Sequence, residues 1–128
     1  MQEGEKRDAG KLRFDLIPVY PLQELARVYT IGAKKYTDNN WRQGFKWGRL
    51  FAAMCRHAFA WWSGERNDPV DRQHHLASVA WCAFALMDFE RGAIGEDDRW
   101  KEPLQLSLSL DSSTTTSGGN TDKERVNS

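Results

Sequence analysis

The sequence repeats apolar residues every three or four positions in three stretches, and this helical spacing limits the possible folds more than any other feature. The first stretch opens near Pro21, a favoured first helical position, and ends before Gly32. The second runs from about Lys46 to Gly64, and the third begins at Asp68, an N-cap residue that precedes a proline. Three helices with short connections predict an all-α fold, a small helical bundle.

The length and composition fit one packed domain followed by a polar tail. The chain has 128 residues, of which 40% are hydrophobic and 28% are charged. We expect the helical domain to occupy residues 1–103. Residues 104–110 alternate apolar and polar side chains, a pattern compatible with one short strand. Ser, Thr, Gly and Asn dominate from Asp111 onward, so we predict that residues 104–128 form a low-complexity, disordered tail.

The overall charge and hydropathy exclude two classes of partner. Eighteen basic residues balance eighteen acidic ones, so we expect no binding to duplex nucleic acid. No apolar run approaches the roughly 18–20 residues that cross a bilayer, and the N-terminus has no signal-peptide profile. We therefore expect a soluble, cytoplasmic protein without a membrane partner, in which Cys55 and Cys82 are buried, reduced thiols.

Two neighbouring stretches carry opposite charge. Residues 34–56 hold six basic residues against one acid, whereas residues 57–98 hold eight acids against three arginines. A basic stretch beside an acidic one suits a ligand that brings both phosphate groups and a divalent cation. The alternative is that the two stretches are solvated faces that neutralise each other.

Two histidines and three carboxylates are predicted to meet at one end of the bundle. His57 lies on an apolar stripe of the second helix and so points inward. His75 follows Asp71 by one helical turn, so both project from one face of the third helix, together with Ser78. Antiparallel packing of these helices would bring the turn between them to the same place. The predicted divalent-metal ligands are His57, Glu65, Asp68, Asp71 and His75.

Each member of this cluster also has a purely structural explanation. A lone histidine on an apolar face is more often a hydrogen-bonded core residue than a ligand. Asp68 can cap the third helix, Asp71 can complement the helix dipole, and Glu65 can be a solvated loop residue. Asp88 and Glu90 lie near the far end of the third helix, too far away to join the same site.

The segment between the first two helices has the composition of a nucleotide-binding loop. Lysine side chains bind phosphate, an asparagine amide can read a base edge, and aromatic rings stack on a purine. The candidates after Gly32 are Lys34, Lys35, Tyr36, Asn40 and Trp41. The alternative is a polar loop in which Tyr36 and Trp41 only cover the core.

The tryptophan content points to a subunit interface. Six tryptophans exceed what so small a core can bury, and Trp61 and Trp62 are adjacent on the second helix. At least one of these two rings must face outward. We therefore expect a homo-oligomer, either a dimer or a tetramer.

An ordered string of short motifs resembles the phage dATP/dGTP diphosphohydrolase family, a MazG-like group of nucleotide pyrophosphohydrolases. The resemblance covers roughly residues 7–91. It is carried by Asp8-Ala9-Gly10-Lys11, Glu24-Leu25-Ala26-Arg27-Val28-Tyr29, Gly32-Ala33-Lys34-Lys35-Tyr36, Asn40-Trp41, Arg56-His57, Gly64-Glu65, Asp68 and His75-Leu76. It implies an all-α, oligomeric, metal-dependent enzyme that cleaves a purine (deoxy)nucleoside triphosphate to monophosphate and pyrophosphate.

Two departures from the family pattern affect the candidate metal ligands. Ser78 stands where the family has a second histidine, three residues after His75. Residues 70–73 also replace the acid-rich, glycine-containing turn that is usual in the family. Both departures bear on catalysis more than on the fold.

The leading hypothesis is a nucleotide pyrophosphohydrolase that depends on Mg²⁺ or Mn²⁺ and acts on a purine nucleotide. In this hypothesis Glu65 orients the attacking water, and Lys34, Lys35 and Arg56 stabilise the developing charge. The runner-up is a degenerate module that binds a nucleotide without turning it over, which Ser78 favours. A third hypothesis, suggested by the surplus tryptophans, is a structural oligomer or an inhibitor of a protein partner.

Overall fold

The computed structural model describes residues 2–102 and contains three helices. The elements are α1 (Val19–Lys35), α2 (Trp47–Trp62) and α3 (His75–Gly92), with short 3-10 helices at Phe14–Leu16 and Asn40–Gln43. No strand occurs within residues 2–102, so the predicted all-α class is confirmed there. No helix in this part of the chain is long and apolar enough to cross a membrane. The strand predicted at 104–110 and the tail at 104–128 lie outside the described residues.

α3 packs against both α2 and α1 and supplies most of the buried side chains. Ala85 and Phe89 of α3 meet Leu50 of α2 to form the core. Phe89 is fully buried, which stabilises the fold by about 1.5–3 kcal/mol. Partly buried side chains surround this core: Trp41, Phe45, Trp47, Trp81, Leu86 and Ile94. The helices belong to one compact unit that ends at Asp97, and residues 98–102 form no helix or strand.

α1 extends beyond its predicted bounds at both ends. It begins two residues before Pro21 and continues through Gly32. The helix ends where the Tyr36 N–H donates to the Gly32 carbonyl at 2.9 Å. Lys34 and Lys35 therefore lie in the last helical turn, where positive charge favours the carbonyl end of the helix dipole. The prediction that these two lysines belong to a loop is wrong.

The start of α3 also differs from the prediction, because α3 begins at His75 and not at Asp68. Asp68 Oδ1 accepts the Val70 N–H at 2.8 Å, and Asp71 Oδ1 accepts the Gln73 N–H at 3.0 Å. Aspartate side chains that bind a backbone N–H two residues ahead stabilise turns in competition with helix. Asp68 therefore caps a turn, and Asp71 lies outside the helix.

The prediction that Asp71, His75 and Ser78 share one face of a helix is therefore wrong for Asp71, which precedes α3. His75 and Ser78 both belong to α3. The connection between α2 and α3 spans residues 63–74 and is held by backbone hydrogen bonds. The Asp68 N–H donates to the Gln73 carbonyl at 2.8 Å, and the His75 N–H donates to the Arg66 carbonyl at 2.9 Å. This connection is an ordered turn, so its carboxylates have fixed positions relative to α3.

A close backbone approach ties the segment after α3 to the start of α2. The Trp47 N–H donates to the Glu96 carbonyl at 2.9 Å, and Trp47 Nε1 donates to the Ile94 carbonyl at 2.8 Å. Gly95 sits between these contacts at a φ of +76°, directly against the backbone of Phe45. Only glycine fits here, because any Cβ would collide with the Phe45 carbonyl.

We expect Gly95→Ala to destabilise the fold. The added Cβ meets a backbone carbonyl and alanine disfavours the positive φ, so the free energy of unfolding should fall by about 1–3 kcal/mol. Urea denaturation measures the change. Gly32→Ala is the control, because this helical glycine has open space around its Cβ position and should gain up to about 1 kcal/mol. Equal stability of Gly95→Ala and the parent would contradict the contact.

Candidate functional site

Two histidine rings from different helices face each other where α2 packs on α3. His57 Nδ1 lies 2.9 Å from His75 Nδ1. Without a metal, one of these nitrogens carries a hydrogen and donates a hydrogen bond, and the other accepts it. Two nitrogens that bind one ion at about 2.1 Å and at right angles also lie about 3 Å apart. The pair therefore has the spacing of two ligands on one cation.

Asp68 adds a carboxylate to this pair. Its Oδ2 lies 3.9 Å from His57 Nδ1, while its Oδ1 is held by the Val70 N–H. One ligand atom from each of His57, Asp68 and His75 lies within 4.8 Å of the others. Two imidazoles and a carboxylate are a donor set that suits Mn²⁺, Fe²⁺, Co²⁺ or Zn²⁺. The residues present therefore fit a divalent transition metal.

Glu65 occupies the other side of the His75 ring. Its Oε1 lies 2.6 Å from His75 Nε2, the ring nitrogen that faces away from His57. The His75 side chain is only 4% exposed, whereas that of Glu65 is 50% exposed. A carboxylate that binds the distal nitrogen of a histidine fixes its tautomer and orientation, as in carboxylate–histidine–metal triads. This geometry gives Glu65 a positioning contact with His75.

A cleft of about 650 Å³ lies beside the histidine pair. It is bounded by the second half of α1, the segment after it, and the facing sides of α2 and α3. His57, Asp71 and Ser78 contribute to its wall. Ser78 is one of two buried polar residues in the described part of the chain.

The cleft collects most of the predicted nucleotide-binding residues. Its lining includes Lys35, Tyr36, Asn40 and Trp41, but not Lys34 or Arg56. Arg56 is exposed on α2, and its charge adds little to the effect of burial on the pKa of His57 and opposes the larger effect of burial on the pKa of Cys82. Lys34 and Lys35, which are equivalent in the sequence, therefore differ in the structure, because only Lys35 lines the cleft.

Trp41 serves as a wall of both the cleft and the core. Its ring centroid lies 6.0 Å from that of Phe89 and 6.0 Å from that of Tyr29. The Arg42 guanidinium lies 4.6 Å above the Trp41 ring and donates to Asp88 Oδ2 at 3.2 Å. The interpretation in which Trp41 covers the core is therefore confirmed, and stacking on a purine stays a prediction. Asp88, remote from the histidines, fixes this segment to α3.

Many of the residues that line the cleft were not singled out as functional in the sequence, among them Tyr29, Trp81 and Cys82. The helical spacing of apolar residues predicts that Tyr29 and Cys82 face inward. No feature of the sequence shows that a cleft lies between their helices. Burial raises the pKa of the Cys82 thiol to about 11, so it is protonated near neutral pH. The predicted burial is confirmed for Cys82 and is wrong for Cys55, which is only partly buried.

Burial is the main cause that lowers the pKa of His57, and the neighbouring His75 lowers it further. The carboxylates of Asp68 and Asp71 act in the opposite direction. The neutral ring is therefore favoured, which is the protonation state in which histidine binds a metal.

The chain is similar to a known protein family and to a named phage protein. Residues 1–99 match the family described as dATP/dGTP diphosphohydrolase, N-terminal. A protein of Salmonella phage PMBT28, named dATP/dGTP diphosphohydrolase, is 35% identical over 98 residues, which cover 76% of this chain. The same stretch is 33% of that relative, so the chain spans about a third of its length. No solved structure matches the chain.

We expect the metal-free protein to lose stability as the pH falls through the His57 titration. The unfolded chain takes up a proton at the ordinary pKa of about 6.5, and the folded chain does so only at lower pH. The stabilisation is thus complete above that ordinary value and is lost below it. Urea denaturation with EDTA at about pH 7.5 and about pH 5.5 brackets the change. His57→Asn should show a weaker dependence; an identical dependence would contradict the assignment.

Proposed function

The chain belongs to the dATP/dGTP diphosphohydrolase, N-terminal, family, and from that membership we propose that it is a nucleotide pyrophosphohydrolase. The proposed substrates are purine (deoxy)nucleoside triphosphates of the dATP and dGTP class, and the products are the monophosphate and pyrophosphate. One observation carries the proposal. A single cleft combines a cation, an amide and aromatic rings with His57, the member of the histidine–carboxylate cluster that lines it.

The cleft residues have complementary roles in binding. Lys35 can contact phosphate oxygens, and Asn40 can hydrogen-bond a base edge. Tyr36 is 60% exposed, so its ring is available for stacking, while Trp41 is held in place by its core contacts. Arg56 and Lys34 lie outside the lining and act, at most, through their charge.

We propose that His57, Asp68 and His75 hold the divalent ion. When bound there, the ion supplies Lewis-acid stabilisation of phosphate charge and makes a bound water more acidic. Both Mg²⁺ and Mn²⁺ serve such reactions, but Mg²⁺ prefers oxygen ligands and Mn²⁺ accepts imidazole. Two of the three candidate donors are imidazoles, so Mn²⁺ is the favoured ion.

The contact of Glu65 with His75 supports a positioning role, in place of the water-orienting role that the sequence suggested for it. The carboxylate accepts a hydrogen bond from the His75 Nε2–H, so the lone pair of His75 Nδ1 faces His57 and Asp68. Loss of such an outer contact typically weakens metal affinity 10–100-fold.

A nucleotide-binding module without turnover is the second candidate function. The observation that favours it is Ser78, which lines the cleft three residues after His75, where the family pattern has a histidine. A hydroxyl is a poorer ligand than an imidazole for a transition metal. The cleft itself serves either function.

Two further proposals concern assembly and location. Phe51, Phe59 and Trp62 recur along one side of α2 and are 57%, 68% and 80% exposed. This apolar stripe supports a homo-oligomer, a dimer or a tetramer, in which it is covered. A phage-encoded enzyme of this class would act in the cytoplasm of the host.

Chromatography of the reaction products tests the proposed activity. The full chain is incubated with dATP or dGTP and either Mn²⁺ or Mg²⁺, and the nucleotides are separated by anion exchange. We expect monophosphate and pyrophosphate in equal amounts. Diphosphate with inorganic phosphate would contradict the reaction, and stoichiometric binding of an intact nucleotide would favour the binding module.

We expect Mn²⁺ to raise the melting temperature of the full chain more than Mg²⁺ does. A ligand present at a hundred times its dissociation constant adds about 2.7 kcal/mol of apparent stability. Asp68→Asn should abolish this shift, because the amide retains the acceptor for the Val70 N–H but loses the charge that binds a cation. Glu90→Gln, a substitution at an exposed position of α3, is the control. Equal melting curves with Mn²⁺ and EDTA would exclude the metal site.

Lys35→Ala should weaken nucleotide binding, and Lys34→Ala should have a much smaller effect. The two residues are adjacent in the last turn of α1, but only Lys35 lines the cleft. Loss of one charge-assisted phosphate contact costs roughly 1.5–3 kcal/mol of binding free energy. Titration calorimetry with a non-hydrolysable nucleotide analogue measures the difference. Similar dissociation constants for the two variants would place the phosphates elsewhere.

A further inference from the structure

We propose that Asp71 is the catalytic carboxylate, the group that orients the attacking water and accepts its proton. The inference rests on the proposed pyrophosphohydrolase function and assigns a residue within it. Asp71 was expected to be a metal ligand on a helical face, but the structure places it in the turn before α3.

The first observation is where Asp71 lies. It lines the cleft together with His57 and Ser78. Asp71 therefore shares the cleft with His57, a candidate metal ligand, without belonging to the three residues whose ligand atoms converge.

The second observation is how Asp71 is held. Its Oδ1 accepts the Gln73 N–H at 3.0 Å, and its carbonyl accepts from Gln73 Nε2 at 3.1 Å. These contacts fix the residue through one carboxylate oxygen and the backbone. Neither contact uses Oδ2, so one oxygen anchors the side chain while the other can meet a water in the cleft. A general base needs this combination of fixed position and open acceptor.

The other carboxylates near the histidines have different tasks. Glu65 contacts His75 Nε2, the nitrogen that faces away from His57, and does not line the cleft. Asp68 uses Oδ1 for the turn and directs Oδ2 towards His57. Asp38 also lines the cleft, but it belongs to the segment that follows α1. Asp71 is thus the cleft carboxylate that lies in the same turn as Asp68, three residues from that candidate ligand.

The proposed step is a displacement at phosphorus. The water oxygen forms a bond to the α-phosphorus, and the bond from this phosphorus to the bridging oxygen of pyrophosphate breaks. The leaving pyrophosphate takes the bonding electron pair, and Asp71 Oδ2 takes one proton from the water. The second hydrogen stays on the monophosphate, and the proton on Asp71 returns to solvent.

Asp71→Asn tests the assignment in the full chain. The amide oxygen can still accept the Gln73 N–H, so the turn is kept while the basic oxygen is lost. At saturating dGTP and Mn²⁺ we expect turnover to fall by about 10²–10⁴-fold. The melting temperature, the Mn²⁺-induced shift and the affinity for a non-hydrolysable analogue should remain close to those of the parent. Glu90→Gln is the matched loss of an acidic charge outside the cleft and should leave turnover unchanged.

Glu65→Gln separates this role from positioning. We expect it to weaken Mn²⁺ affinity, so that turnover recovers as Mn²⁺ is raised, whereas turnover of Asp71→Asn should not recover. Three results would overturn the inference: turnover of Asp71→Asn equal to the parent, loss of the Mn²⁺ shift in that variant, or recovery with added Mn²⁺. Absence of pyrophosphate release by the parent itself would overturn the proposed function and this inference together. Activity in the parent that Asp71→Asn retains would overturn only this inference.

Discussion

The packing of α2 against α3, with Leu50, Ala85 and Phe89 at its core, fixes the position of the two helices and so of the histidine that each one carries. Because the two helices are locked together by this core, His57 and His75 face each other at 2.9 Å although they come from different elements. Neither ring has to be drawn inward by a ligand. For the proposed metal site, the core would thus bring the two nitrogen donors together during folding, so that binding would not have to supply that loss of entropy.

The turn between α2 and α3 complements this rigid pair with carboxylates. Its shape comes from side-chain caps and backbone hydrogen bonds, so the acids are positioned by the path of the chain. The three acids near the histidines have separate tasks. Glu65 holds the buried ring, Asp68 faces the histidine pair and Asp71 faces the cleft. A short segment with few apolar residues thereby gives three acids distinct environments.

The sequence predicted the elements of the fold better than their junctions. The periodic stretches identified all three helices of the described region, and the bounds of α2 agree closely with its signals. The start of α3 was misplaced because an aspartate before proline can cap either a helix or a turn, and here backbone contacts across residues 67–74 favour the turn. The sequence predicts that α1 ends before Gly32, because glycine often follows the last helical residue, but α1 continues through this residue to Lys35. The sequence could not show that Lys35 lines the cleft and Lys34 does not, or that Asp68 converges with the histidines and Asp71 does not, because these distinctions depend on distances in the folded chain.

The Trp41 side chain contributes to both the core and the cleft, since its ring packs on the core and also forms a wall of the cleft. A smaller or larger side chain there would therefore disturb the helix packing and the shape of the cleft together. The indole is also an optical probe of both regions. Because the chain has six tryptophans and Trp81 lines the same cleft, its emission can be read separately only in a variant that keeps Trp41 alone.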